Sequence, residues 1–167
     1  LGQHAQAIPL FQRYVQVFPK APDLDAALYD WAWSLKELGR EEESLKLFER
    51  VHQEFPQSPY WAEVALRLAQ RAYQTQQYER ANQLVSAVLA GTPKPEFRPY
   101  ALYLQMQVLA AQREWEKVGQ LAQQLLREHP GNPLEVYGEF WQAEVAFRKM
   151  EFEEASRLLE EFAKKHA

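Results

Sequence analysis

The chain has 167 residues, 47% of them hydrophobic, which is enough apolar side chain for a packed core and excludes intrinsic disorder. Its formal net charge of -4 arises from interspersed acids and bases, so no basic patch dense enough to neutralise a phosphate backbone is present and nucleic acid is not an expected partner. With no cysteine there is no disulfide framework, thiolate metal site or thiol nucleophile. No apolar run approaches the roughly 20 residues needed to span a bilayer, so direct membrane insertion is not expected. The opening residues also lack the order of a signal peptide.

In chain order, residues 2–19 read as one amphipathic helix ending at Pro19, with Ile8, Phe11 and Val15 among its apolar residues. Residues 22–56 read as two helices separated by a turn at Gly39. The second, Glu41 to Phe55, sets Ser44, Leu47, Phe48 and Val51 on a buried side and Glu42, Glu43, Lys46, Glu49 and Arg50 on a wet one. Residues 59–93, 96–130 and 133–167 repeat this pair. Each second helix is expected to stop at a proline, because proline has no amide hydrogen and disfavours helical geometry in the residue before it. The first helices begin beside Pro22, Pro59 and Pro133, with Pro95 and Pro99 bracketing the equivalent place, and proline suits a first helical turn.

The repetition has a constant register. Pro19, Pro56, Pro93 and Pro130 each follow the last by 37 residues, and Ala167 stands at the fifth place. Leu10, Leu47, Leu84, Leu121 and Leu158 form a second column, and Ala7, Ser44, Ala81, Val118 and Ala155 a third of mostly small residues. The turn column begins as Gly2 and Gly39 but continues as Gln76, Arg113 and Met150. Glycine relieves a left-handed backbone at a helix end, so its loss predicts later turns that are either tighter or strained. After the turn come His4, Glu41, Tyr78, Trp115 and Phe152, mostly aromatic and expected to wedge between hairpins.

The run from Ala27 through Leu38-Gly39 to Ser44, Phe48, Val51 and Pro56, repeated with Ala69, Tyr78, Ala81, Val88 and Pro93, resembles the tetratricopeptide repeat (TPR). Phrases such as Glu54-Phe55-Pro56-Gln57-Ser58-Pro59 are similar to repeats of bacterial cell-envelope proteins, of the Tol-Pal-associated periplasmic coordinator and outer-membrane-assembly lipoprotein type. The resemblance implies an all-α fold, a right-handed superhelical solenoid of antiparallel helix hairpins with nine helices and a 37-residue period. It implies one repeat domain over residues 1–167 and, by resemblance alone, a periplasmic or cell-envelope location. The chain opens on Leu1-Gly2 and on a second helix, so a longer parent protein continuing upstream is expected.

Such an array implies a non-catalytic scaffold that binds a protein or peptide partner on a concave face lined by the first helices. The register places Tyr29, Trp33, Lys36 and Glu37 there, then Leu66, Gln70, Tyr73 and Gln74, then Tyr103 and Gln107, then Phe140, Glu144 and Phe147. The column Tyr29, Leu66, Tyr103 and Phe140 recurs in every full repeat, as packing positions do; Trp33, Tyr73 and Phe147 have no aromatic equivalents across all repeats and point more to binding. Trp33, Gln70, Gln107 and Glu144 lack the basic and asparagine residues with which some family members clamp a terminal carboxylate. The alternative reading is a structural spacer or a self-assembly scaffold, with a homo-oligomer formed through exposed end helices.

No enzyme chemistry is expected. His4, His52, His129 and His166 occupy repeat positions held elsewhere by other residue types and do not converge on a metal or general-base site. Glu41-Glu42-Glu43 and Glu153-Glu154 are solvated helix starts, where negative charge suits the helix dipole. No phosphate-cradling glycine loop, hydrolase elbow or zinc motif occurs, and no cofactor is expected.

Overall fold

The computed structural model describes residues 2–91 and 94–166. Pro93 and Ala167, members of the proline column's register, and Leu1 and Thr92 lie outside them. The fold among the described residues is all-α. Its helices are α1 (Gly2–Val17), α2 (Leu24–Glu37), α3 (Glu41–Glu54), α4 (Trp61–Gln74), α5 (Tyr78–Ala90), α6 (Arg98–Ala111), α7 (Trp115–Glu128), α8 (Glu135–Arg148) and α9 (Phe152–Lys165). The proline column does what its chemistry requires: α1, α3 and α7 end two residues before Pro19, Pro56 and Pro130. Pro99 sits within the first turn of α6.

The packing divides into two compact units, Leu1–Leu68 and Ala69–Ala167, the division falling inside α4. In the first unit α1 packs on α2 and α2 on α3. Its core comprises Leu24, Leu28, Ala32 and Leu35 of α2 and Leu47, Phe48 and Val51 of α3, with Val64 and Ala65 of α4. Ile8 of α1 is also buried, while Leu10, Val17 and Phe18 are exposed. Phe11 and Val15 of the same helix are half-buried. In the second unit each helix from α5 to α8 packs on the next, and Ala72 of α4 clusters with Ala81 of α5 and Val108 of α6. Leu102, Met106, Leu109, Val118, Ala122, Leu125 and Val145 form one core cluster there. Val118, the bulky member of the small-residue column, is fully buried in it.

All four inter-helix turns of the full repeats close in the same way. After α2, the Arg40 amide donates to the Leu35 carbonyl at 2.9 Å and the Gly39 amide to that of Lys36 at 2.9 Å, the paired bonds of a Schellman C-cap. Gln77 and Gln76 donate in the same pattern to Ala72 and Tyr73, Glu114 and Arg113 to Leu109 and Ala110, and Glu151 and Met150 to Ala146 and Phe147. The geometry requires a left-handed residue, and φ is 73° at Gly39, 60° at Gln76, 62° at Arg113 and 64° at Met150. The sequence loses glycine but the backbone keeps the conformation, so the later turns are strained rather than tighter.

His52 of α3 is a half-buried titratable group set in aromatic packing. Its ring stacks on Trp61 at 5.1 Å between centroids, and Trp61 Nε1 donates to the His52 carbonyl at 3.2 Å. The buried Nδ1 has no hydrogen-bond partner, and desolvation pulls the imidazole pKa below its ordinary 6.5. The fold thus favours neutral His52, and the unfolded chain takes up the proton first. His52 lends its stabilisation in full above pH 6.5 and forfeits it as pH falls from there through the lower folded-state value. Denaturant midpoints measured from pH 8 to pH 5 are expected to fall more steeply for the wild type than for His52→Phe, which keeps the stack and cannot charge. Parallel curves would refute this.

Candidate functional site

The first helices carry the aromatic positions picked out by the repeat register. In the first unit, α2 positions Tyr29, Trp33 and Lys36 at spacings of four and three, which places them on one helical face. The Tyr29 hydroxyl donates to Glu63 Oε2 at 2.7 Å, and its ring stacks on Tyr60 at 4.3 Å. Burial, reinforced by the bond to the Glu63 carboxylate, pushes the Tyr29 pKa up to about 12. Arg67 pairs with Glu63 at 2.9 Å and lays its guanidinium over the Trp33 ring at 3.9 Å, while the Lys36 ammonium lies 4.4 Å from the same ring. Trp33 also meets the buried Phe48 edge-on at 6.2 Å. Tyr29 and Trp33 are therefore half-buried members of a packed aromatic and ionic network. Leu66, a register mate of Tyr29, is buried and presents nothing to solvent.

In the second unit, Gln70 of α4 is exposed and Tyr73 is half-buried against Tyr78 at 5.9 Å. On α6, Gln107 Nε2 donates to the Tyr103 hydroxyl at 3.0 Å. Tyr103 approaches Tyr137 at 4.6 Å and Tyr100 at 6.4 Å, ring centre to ring centre. Burial raises its pKa, followed by the influence of the Tyr137, Tyr100 and Tyr73 hydroxyls, so four phenols share one neighbourhood. On α8, Phe140 packs edge-on to Trp141 yet is 42% exposed, and Phe147 meets Phe152 and is 50% exposed. Glu144 pairs with Arg148 at 2.7 Å.

The post-turn aromatics touch the ends of these faces, with Phe152 left 58% exposed. Tyr78 meets Tyr73, Phe152 meets Phe147, and Trp115 lies beneath the Arg148 guanidinium at 5.4 Å. Tyr137, 42% exposed, and its register mate Tyr100 belong to the same surface but do not figure among the residues anticipated there. Their signal was local: each lies three residues before Tyr103 or Phe140, one helical turn away on the same face. The corresponding residues in the earlier repeats, Ala26 and Glu63, break the aromatic column and hide it.

Among the described residues no group of three or more His, Asp or Glu side chains could hold a metal ion, and no helix is long and apolar enough to cross a membrane. Residues 35–124, 90 of 167, match the family model described as YfiO, outer membrane lipoprotein. The chain belongs to the YfiO outer membrane lipoprotein family. Within that family it is a TPR protein, and solved structures show the same fold. MamA from Desulfovibrio magneticus RS-1, residue 41 to its end, aligns with TM-score 0.71 at 18% identity over 98% of this chain and 85% of that one. A MamA RS-1 double mutant gives 0.72 at 17% identity over 96% and 84%. The nearly identical TPR-like repeats of a Podosopora anserina kinesin light chain give 0.67 at 18% identity over 98% and 87%. At such identities these similarities establish the fold alone. No curated protein matches the chain. YfiO-like and TPR proteins are typically non-enzymatic scaffolds for protein partners.

Proposed function

We propose that this YfiO-family chain is a non-catalytic scaffold that takes a protein or peptide partner on the faces of its first helices. The observation that carries the reading is the row Tyr137, Phe140 and Phe147 on α8. These aromatic side chains are left 42%, 42% and 50% exposed on a helix whose other face is packed. Large aromatic side chains in water are costly to leave open, and they supply contact area with little rotamer loss when covered. Gln70, Tyr73, Tyr103, Gln107 and Glu144 extend that surface within the second unit. In the first unit Tyr29, Trp33 and Lys36 offer a face already held rigid by Glu63 and Arg67, a preorganised surface rather than an adaptable one.

Photo-crosslinkers placed at Phe140 and Phe147, and for comparison at the exposed Glu160 of α9, test the assignment in extracts of the native source. The expected result is a discrete adduct from the two α8 positions and none from Glu160, with Phe140→Ala/Phe147→Ala weakening partner binding by at least about tenfold at unchanged circular dichroism. Equal labelling from all three positions would remove the assignment. The second reading, a spacer or self-assembly scaffold, draws on Leu10, Val17 and Phe18, exposed together on and just after α1. Sedimentation equilibrium separates the two: a monomer at high protein concentration counts against self-assembly and leaves partner binding standing.

A further inference from the structure

The second unit contains a surface whose chemistry is narrower than general protein binding. Tyr100 and Tyr103 of α6 and Tyr137 of α8 converge, with Tyr73 of α4 close enough to influence the Tyr103 hydroxyl. The surface combines flat apolar rings with hydrogen-bond donors. Gln107 Nε2 already donates to the Tyr103 oxygen, which leaves the Tyr103 hydroxyl hydrogen to point elsewhere. Tyr137 makes no hydrogen bond through its hydroxyl among the described residues. Formal charge around the rings is paired: Arg98, the one charged residue of α6, with Glu128 at 3.1 Å, Glu135 and Glu139 of α8 with Lys165, and Glu144 of α8 with Arg148.

Three kinds of peptide make different demands on such a place. A charged segment would lose hydration with no free countercharge to receive it. An amphipathic helix would press aliphatic side chains against phenol hydroxyls and strand them without partners. A neutral extended segment rich in proline fits both properties. Its pyrrolidine rings lie flat on aromatic faces, its carbonyls accept from hydroxyl and amide donors, and its prolines bring no amide hydrogen that would need an acceptor. Such a chain is also preformed as a left-handed extended helix, so little conformational freedom is lost on binding. We propose that the surface formed by Tyr100, Tyr103, Gln107 and Tyr137 binds a neutral proline-rich segment of a partner protein in the polyproline II conformation. The proposal rests on the first-helix faces being the binding faces and names the partner class for the second unit.

The test is isothermal titration of the 167-residue chain with three synthetic decapeptides. One is neutral and mostly proline, the second has every proline replaced by alanine, and the third is an amphipathic helix former. The expected outcome is that the proline peptide binds with Kd in the range of about 10 to 100 μM and the alanine peptide at least about tenfold more weakly. Tyr103→Phe and Tyr137→Phe keep the rings, and each is expected to weaken the proline peptide by about three- to tenfold while circular dichroism stays unchanged. Equal affinity for the proline and alanine peptides overturns the proposal, as do unaltered affinities in both phenylalanine variants or the absence of any heat up to about 1 mM proline peptide. If the helical peptide binds instead, and Tyr137→Ala abolishes it, the proline assignment falls while the binding face stands. If none of the three binds and the crosslinkers at Phe140 and Phe147 label no partner, both fall.

Discussion

Leu84→Ala is expected to destabilise the chain by about 2 to 5 kcal/mol, whereas Leu10→Ala, at the same place in the repeat, should change stability by less than about 0.5 kcal/mol. Both leucines occupy one column of the 37-residue register and both lie on a second helix. Leu84 on α5 is 8% exposed and Leu47 on α3 is 7% exposed, while Leu10 on α1 is 70% exposed. The difference is one of neighbours. α3 packs on α2 with Leu47 buried, whereas α1 packs on α2 through the side that buries Ile8 and leaves Leu10 open. Truncating Leu84 removes three buried carbon atoms and leaves a void whose lining cannot fully relax. Truncating Leu10 removes carbon that water already touches. Urea unfolding of the two variants beside the wild type measures the contrast, and equal losses at the two sites would mean that Leu10 is covered in solution.

The second large effect runs in the stabilising direction. Gln76→Gly, Arg113→Gly and Met150→Gly together are expected to raise stability by about 1.5 to 3 kcal/mol, about 0.5 to 1 kcal/mol each. Each residue holds a positive φ, at 60°, 62° and 64°, to complete a helix cap whose backbone bonds are otherwise satisfied at 2.8 to 3.0 Å. Glycine removes the clash between Cβ and the backbone in that region. Part of the gain is offset because glycine also frees the unfolded chain. All three side chains are exposed, so their removal exposes no core, and the turns are far enough apart for the effects to add. Gly39→Ala serves as the converse: its Cβ would meet nothing within 4 Å, so any destabilisation there reports the backbone conformation alone. Thermal melts of the triple variant that coincide with the wild type would show that these turns carry no strain.

These two cases locate the boundary between periodic pattern and packing. Helix ends were legible because proline acts on its own backbone and on the residue before it: Pro19, Pro56 and Pro130 stop helices whatever surrounds them. The buried sides of α3 and α7 were legible because side chains three and four apart share a face. The candidate site was legible only in part. Phe140 and Phe147 of α8 stand open, whereas Trp33, which lacks aromatic equivalents in the other repeats, is held by Phe48, Lys36 and Arg67. Trp33 and Arg67, 34 positions apart in sequence, meet there, and no column shows that they will. Tyr137 and Tyr100 escaped for the complementary reason: their column is broken in the earlier repeats, while the contact of Tyr137 with Tyr103 arises across two helices.

The amino-acid sequence by itself determined the helix-pair repeat, its register, the proline stops and the absence of cysteine chemistry, since each follows from local backbone geometry or from composition. Only the tertiary structure decided which members of a column are buried and that the caps keep a left-handed residue without glycine. It alone gathered four tyrosines of α4, α6 and α8 into one neighbourhood. The reason is physical: periodicity specifies the face a side chain points from, whereas burial, strain and convergence depend on what packing brings to that face.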